Sequence, residues 1–347
     1  SGVMTSVTGL PLTTGVTGTL PVANGGTGVT AAGTSGNVLT SNGTTWASAT
    51  PAAGGATSIN GLSDGTNDGS SVGLGTNALA NDDGTTNKNT ALGTDALTAN
   101  TSGYRNTASG FESLKDNTEG ANNTGSGYKA LSSNTTSSYN TAVGGFALTA
   151  QTTGQRNTAS GYTAMFTNTT GTDNTAYGVS ALRANTTGSN NTATGVYCLQ
   201  ENTTANANTA SGFKALTTST TSSYNTASGF YALKANTTGY SNTAFGAEAL
   251  QTNITAYGCT ATGARALYAN TTGNTNTASG YDSLKNNTTG TANVAMGFRS
   301  LFSNTTSNYI VAVGEKSLYN SSAAKCTGIG YGTLFTNSTG TNNTGSG

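Results

Sequence analysis

The sequence predicts an all-β chain built as a parallel β-solenoid, or β-roll, of 17-residue coils. Three observations predict this fold: a phrase of the form NTAxG recurs along most of the chain, charged residues make up only 7% of it, and Gly, Thr, Asn, Ser and Ala dominate it. A typical soluble domain has about 25% charged residues. Disorder and a flexible linker are the alternatives at this level, but disorder usually accompanies high net charge, and here 13 basic residues balance 13 acidic ones.

The repeat has a nearly constant length. The Gly of the phrase lies at positions 75, 93, 110, 127, 144, 161, 178, 195, 212, 229, 246, 263, 280, 297, 314, 330 and 347. One step is 18 residues, one is 16 and all others are 17, so sixteen units are complete and the chain ends at the Gly of a seventeenth. The consensus is NTAxGxxALxxNTTGxx, and its positions are numbered 1 to 17 below. Neighbouring copies of such a repeat cover each other, which makes up for the lack of large apolar residues.

Several columns of the repeat have a direct structural meaning. Position 2 is Thr or Val, whose β-branched side chains favour strands, and the NTTG segment favours a turn. Helical repeats are typically 33 residues or longer, so we predict coils of two short strands and two turns, and a rod of roughly 75 Å at about 4.8 Å per coil. Position 9 is always Leu or Met, which predicts a buried core column. Its members are Leu97, Leu114, Leu131, Leu148, Met165, Leu182, Leu199, Leu216, Leu233, Leu250, Leu267, Leu284, Leu301 and Leu318.

Positions 6 and 7 indicate the outer surface. Position 7 carries charges of both signs, such as Glu112 and Lys129, and is predicted to face water. Position 6 is often aromatic, which makes it a candidate carbohydrate-binding stripe or, alternatively, a packing surface between chains. The stripe consists of Phe111, Tyr128, Tyr162, Phe213, Phe230, Tyr281 and Phe298.

The residue types at positions 8 and 9 predict that the chain forms an oligomer. Both are restricted to small or apolar residues, yet neighbours on a strand point to opposite faces. If both faces are covered, another chain covers one of them. We therefore expect an intertwined or side-by-side homotrimer, since identical coils make rotation about the long axis natural.

Residues 1–70 lack the period and are predicted to form an N-terminal shaft or collar, leaving residues 71–347 as the solenoid. Val38 and Leu39 precede Asn42-Gly43, a tight-turn dipeptide, and Trp46 follows it. This pattern predicts a short β-hairpin.

Two resemblances rest on these residues. The phrases LPVANGGTG (20–28) and GTSGNVLTSNGTTW (33–46) resemble shaft segments of tailed-phage tail fibres. The repeat phrases NTAVG (140–144), NVAMG (293–297) and IVAVG (310–314) are similar to the repeats of trimeric autotransporter adhesin heads, which form left-handed parallel β-rolls, although the adhesin repeat is usually shorter than this one. Both resemblances imply an extracellular trimeric fibre.

The residues that carry most enzyme chemistry are missing from the sequence. There is no His, which excludes Ser-His-Asp triads and His metal sites. Cys198, Cys259 and Cys326 are too widely spaced for a disulfide framework or a metal site. Gly-rich phrases such as that at Gly33 are interpreted as turns. We predict no catalytic residue, no cofactor and no metal site, although Asp64, Asp68, Asp82 and Asp83 are an alternative Ca²⁺ site.

Many Asn-x-Thr sequences occur at position 12. They include Asn134, Asn168, Asn185, Asn202, Asn236, Asn270, Asn287 and Asn304. Glycosylation is one interpretation. The favoured one is a ladder of stacked, hydrogen-bonded Asn side chains at a recurring turn.

The sequence thus favours a structural fibre, such as a viral tail fibre, that spaces or presents a host-attachment tip. The expected location is a virion or the cell exterior, and the expected partners are fibre or virion proteins and host surface glycans. Zero net charge speaks against nucleic acid, and no apolar run reaches the roughly 18 residues of a membrane span. The alternatives are a bacterial adhesin that binds through its solenoid, and an ice-binding solenoid suggested by the Thr column.

Overall fold

A computed structural model describes residues 38–41, 46–49, 65–66, 71–83 and 87–347 of the chain. The chain divides into two units, Ser1–Gly65 and Thr66–Gly347. In the first unit, β1 (Val38–Ser41) pairs antiparallel with β2 (Trp46–Ala49), at the place where the sequence predicts a short hairpin, and Ser41 pairs with Trp46. A two-residue strand, β3 (Gly65–Thr66), follows.

The second unit is a stack of short parallel strands, each formed by positions 2 to 4 of one repeat. The strands are β4 (Val72–Leu74), β5 (Thr90–Leu92), β6 (Thr107–Ser109), β7 (Thr124–Ser126), β8 (Thr141–Val143), β9 (Thr158–Ser160), β10 (Thr175–Tyr177), β11 (Thr192–Thr194), β12 (Thr209–Ser211), β13 (Thr226–Ser228), β14 (Thr243–Phe245), β15 (Thr260–Thr262), β16 (Thr277–Ser279), β17 (Val294–Met296), β18 (Val311–Val313), β19 (Thr327–Ile329) and β20 (Thr344–Ser346). Each pairs with the next in chain order, position for position, as Thr175 pairs with Thr192. The fold is therefore the predicted parallel β-solenoid.

Among the residues that the structure describes, each coil contains one strand, not the two predicted from the sequence. The rest of the coil consists of turns whose backbone still hydrogen-bonds from coil to coil, as Leu233 N donates to Ala249 O at 3.0 Å. The second strand is missing because positions 7 and 9 have left-handed backbone angles, with φ between 49° and 55° for the residues at position 9. Such angles interrupt the extended conformation that a strand requires.

The left-handed angles also change which way the side chains point. Ala232 and Leu233, at positions 8 and 9, are both 0% exposed and both lie inside the same chain. Neither position therefore needs a partner chain to cover it, contrary to the prediction from the alternating side chains of a strand. A left-handed Leu costs roughly 1–2 kcal/mol, and burying its side chain offsets this with roughly 1.5–3 kcal/mol.

The core of the solenoid is a narrow apolar column. Position 9 supplies its large members, and every one of the 14 Leu and Met residues predicted for the core column is 0% exposed. Ala at position 3 and small residues at position 8 complete it. Two columns of buried Asn flank the apolar column, so the interior of each coil is polar as well as apolar.

The Asn residues of position 12 form the predicted ladder. Asn185 Nδ2 donates to Asn168 Oδ1 at 2.6 Å, and Asn202 Nδ2 donates to Asn185 Oδ1 at 2.7 Å. All eight Asn of the sequons named above are 0% exposed. Their amide nitrogens are thus engaged inside the folded rod, where a glycan has no room.

The ladder is interrupted where Ser219 replaces Asn. Asn202 Oδ1 is buried and has no hydrogen-bond partner among the described residues. Ser219 Oγ instead lies 2.6 Å from Ser222 Oγ, which accepts a bond from Asn236 Nδ2 at 3.0 Å. The Ser222 hydroxyl therefore links Ser219 to Asn236 of the following coil, while the link to Asn202 of the preceding coil is missing.

The three cysteines are buried and free. Burial raises the pKa of the Cys198 thiol to about 12 and that of Cys259 to about 11. Buried, protonated thiols are poor nucleophiles, so they serve here as packing residues. In the part of the chain that the structure describes, no helix is long and apolar enough to cross a membrane.

Candidate functional surface: an aromatic and cationic face

The aromatic column of position 6 lies on the surface. The seven residues of the predicted stripe are between 37% and 56% exposed, and Tyr331, at the same position, is 72% exposed. Rings in adjacent coils stack on each other: Phe213 and Phe230 have centroids 5.7 Å apart, and Tyr281 and Phe298 have centroids 5.8 Å apart at an angle of 11°. Other pairs on this surface meet edge to face, such as Tyr128 and Phe146, whose ring planes lie at 69°.

Aromatic residues of positions 7 and 10 belong to the same surface, which the sequence analysis missed. Phe146 at position 7 contacts Tyr162 at position 6, with centroids 6.0 Å apart, and Phe166 at position 10, with centroids 6.2 Å apart. Positions 6, 7 and 10 together carry sixteen Phe and Tyr residues. The recurrence of aromatic residues at position 10 is the sequence feature from which this larger surface could have been predicted. We call the surface formed by positions 6, 7 and 10 the aromatic–cationic face.

Basic side chains lie among these rings. Lys214 Nζ is 5.3 Å from the Phe213 ring centroid and 5.6 Å from that of Tyr197. Lys234 Nζ is 4.3 Å from the ring centroid of Tyr231. At these distances the ring quadrupole attracts the cation, so the aromatic residues hold the basic side chains against the rod.

The densest charge cluster surrounds Asp282. Arg265 contacts both oxygens of this carboxylate: its Nη2 donates a hydrogen bond to Oδ2 at 3.1 Å, and its Nε forms an ion pair with Oδ1 at 2.9 Å. Arg299 Nε lies 3.5 Å from Oδ2 and Lys285 Nζ lies 3.7 Å from Oδ1. The Asp282 side chain is only 1% exposed, so the prediction that position 7 faces water is wrong here. One buried carboxylate therefore organises three cations from three successive coils.

A smaller cluster of the same kind surrounds Glu112. Its Oε1 is 3.1 Å from Lys115 Nζ, and its Oε2 is 3.2 Å from Lys129 Nζ. Burial opposes ionisation of this carboxyl, but the two ammonium groups outweigh it and lower the pKa of Glu112 below its ordinary value. The carboxylate again serves to hold two cations in place.

The outward side of the strands forms a second, different surface. Positions 2 and 4 alternate with the buried position 3, as in the exposed Thr260 and Thr262 on either side of the buried Ala261. No residue at positions 2 and 4 is charged. Several residues at position 4 are large, apolar and 41–49% exposed: Leu92, Val143, Tyr177, Phe245, Met296 and Ile329. We call this surface the strand face.

The strand face bears on the ice-binding alternative. The Thr column of position 2 points out of the chain, as in the exposed Thr260. However, position 4 is Thr only at Thr194 and Thr262, and it is a large apolar residue in eight coils. These side chains interrupt any flat array of paired Thr residues.

The acidic residues considered as a Ca²⁺ site are only partly described. Asp82 Oδ1 and Asp83 Oδ1 both accept hydrogen bonds from Asn87 Nδ2, at 2.6 Å and 3.0 Å. Asp64, Asp68 and the Gly-rich phrase at Gly33 lie outside the described residues. Among the residues that are described, no three His, Cys, Asp or Glu side chains converge as a metal site would require.

No protein-family model, no curated protein and no solved structure matches this chain.

Proposed function

We propose that the chain is a passive structural rod of a trimeric extracellular fibre, such as a viral tail fibre, that spaces or presents a host-attachment tip. The observation that carries the proposal is the unbroken register from Val72 to Ser346. Adjacent strands pair position for position along this whole segment. Continuous backbone hydrogen bonds along the axis resist bending, which suits a spacer.

The strand face is the proposed contact between chains. Interface cores are depleted of charge and enriched in aromatic residues, and this face is uncharged and exposes Tyr177 and Phe245. Its 17 strands, each about 10 Å long and about 4.8 Å wide, give a surface of roughly 800 Å², comparable to one side of a standard stable interface. Three such faces turned to a common axis would cover their apolar side chains.

The trimer is tested by native mass measurement of the purified chain and of one strand-face variant. We expect three copies for the unchanged chain. Tyr177→Arg should release monomers, because three charges would meet at the axis. The matched control is Tyr162→Arg, which changes an equally exposed Tyr on the aromatic–cationic face and should leave the trimer intact. A folded monomer for the unchanged chain, or equal dissociation of both variants, would contradict this arrangement.

The spacer role is tested by removing two whole repeats, residues 157–190. The deletion joins position 17 of one repeat to position 1 of another, so the register is kept. The rod should become shorter by about 10 Å, two coil spacings, while trimer formation and attachment persist. Small-angle scattering measures the length, and attachment is measured with the assembled fibre. Loss of attachment by a trimer of normal stability would assign binding to the deleted coils.

A second candidate function is adhesion through the solenoid surface itself. The exposed aromatic residues and held cations of the aromatic–cationic face favour this alternative, because exposed aromatic and Arg residues are typical of binding surfaces. The two functions are compatible when the chains meet through the strand face, since the aromatic–cationic face then stays accessible.

A further inference from the structure

The positive charge of the repeats is concentrated on one face. All 13 basic residues lie at positions 7, 10 or 17. Nine of them belong to the aromatic–cationic face, against five carboxylates there, which gives a net charge of +4. The rest of residues 71–347 carries four basic and six acidic residues, a net charge of −2. A chain with zero net charge thus presents a positive stripe along its rod.

The coils around Asp282 form the strongest part of this stripe. Three cations share one carboxylate, which leaves two positive charges in excess. Arg265 donates a hydrogen bond to Asp282 Oδ2 and forms an ion pair with Oδ1, whereas the buried Nε of Arg299 makes no hydrogen bond to any described residue. A guanidinium held in this way offers its remaining N–H groups to a second acid, and its planar fork matches a carboxylate or a phosphate.

The neighbouring rings favour the same kind of ligand. Arg299 lies 5.1 Å from the ring centroid of Phe298 and 5.6 Å from that of Phe302, so the rings position its guanidinium. The cations that these rings hold in place form a surface that attracts anions.

We propose that the aromatic–cationic face, centred on Lys285 and Arg299, binds an anionic polysaccharide whose carboxylate or phosphate groups are widely spaced. The wide spacing of the excess positive charges along the rod disfavours nucleic acid as the ligand. An excess of four charges over sixteen coils is about one charge per 19 Å at about 4.8 Å per coil, whereas duplex DNA carries one charge per about 1.7 Å. A second copy of the chain is disfavoured because equivalent cations would meet.

The test uses the full chain and two pairs of substitutions with the same change of net charge. Lys285→Gln with Arg299→Gln removes the two more distant cations of the cluster but keeps Arg265 on the buried Asp282, so the fold should survive. The control, Lys88→Gln with Lys325→Gln, removes two cations of position 17. Binding is measured by calorimetry to hyaluronan, which has one carboxylate per disaccharide, to a phosphate-bearing teichoic acid, and to uncharged dextran.

The unchanged chain should bind hyaluronan or the teichoic acid but not dextran, and the stronger of the two identifies the acid group. Affinity should fall as salt rises from 50 to 300 mM. The face variant should lose at least about tenfold in affinity, as expected for lost charge-assisted hydrogen bonds, and the control should lose less than about twofold by screening.

Three results would overturn the proposal: no binding to either anionic polysaccharide, equal loss in both variants, or tighter binding to duplex DNA of equal concentration. Thermal melting of each variant checks that the fold is intact. Native mass measured on the same samples keeps this test separate from the trimer, because binding can fail while the trimer persists.

Discussion

Leu233→Asp is expected to open several adjacent coils of the solenoid. Leu233 is completely buried, and no described basic side chain lies in the core to pair with a carboxylate. Losing the Leu packing costs about 2–5 kcal/mol, and burying an unpaired polar group costs further free energy. Since each repeat is stabilised mainly by its neighbours, the damage should spread along the rod before the whole chain unfolds.

The three cysteines report where the coils open. Cys198 and Cys259 lie two coils from Leu233 on either side, and Cys326 lies farther away. At pH 8 the buried thiols of the unchanged chain should resist alkylation, because their raised pKa values, about 12 for Cys198 and about 11 for Cys259, keep them protonated. In Leu233→Asp, mass spectrometry of labelled peptides should show Cys198 and Cys259 reacting before Cys326.

Two controls define the effect of Leu233→Asp. Leu233→Met should be tolerated, since Met165 occupies the same position in another coil. Lys214→Asp changes a surface position and should alter the melting midpoint only slightly. If Lys214→Asp and Leu233→Asp melted alike, the assignment of the inner and outer positions would be reversed.

The period of the sequence was sufficient to predict the solenoid and its central column. A Leu that returns every 17 residues among Thr, Asn and Gly can be buried only if the coils stack, so the core could be predicted from the pattern alone. The Asn ladder could be predicted for the same reason. An amide column inside a stack can bond to the coils above and below, as Asn185 Nδ2 does to Asn168 Oδ1, in addition to the carbonyl of Gly188 in its own coil.

The backbone of positions 7 and 9 could not be predicted in the same way. Residues as different as Phe146, Glu248 and Thr163 occupy position 7 with left-handed angles, so no residue type marks the conformation. The left-handed conformation follows from stacking, because the hydrogen bonds between coils require the same position to have the same backbone angles in adjacent coils. This unpredicted geometry turns positions 8 and 9 to the same side and removes the second strand.

The candidate surfaces were predicted only in part. The aromatic column of position 6 could be predicted from the sequence. That positions 7 and 10 lie on the same surface could not, because this depends on the conformation of the turn between them. The burial of Asp282 could not be predicted, because the side chains that surround it come from three successive coils. The uncharged strand face follows from the pattern of positions 2 and 4, once the strand is known to be the only one in the coil.

Gly144→Ala is expected to be among the most disruptive single substitutions, although it adds only one methyl group. Gly144 has φ of 125°, a region that L-residues rarely adopt, and a Cβ there would lie 2.7 Å from Gly161 O and 2.8 Å from Gly161 C. These are backbone atoms of the next coil and cannot turn aside as a side chain could. Backbone strain of about 1–3 kcal/mol therefore adds to overpacking of about 1–3 kcal/mol.

The matched control for Gly144→Ala is the next residue in the chain. Gly145 has no left-handed angle, and an added Cβ would meet only the Tyr162 ring, at 3.4 Å and 3.6 Å. Position 6 is already Ala at Ala247 and Ala264. Gly145→Ala should thus melt like the unchanged chain, while Gly144→Ala should melt at a clearly lower temperature, measured by circular dichroism. Equal melting of the two variants would mean that the coils can separate locally to accept a side chain at position 5. The close spacing of the coils would then not depend on the Gly residues of position 5.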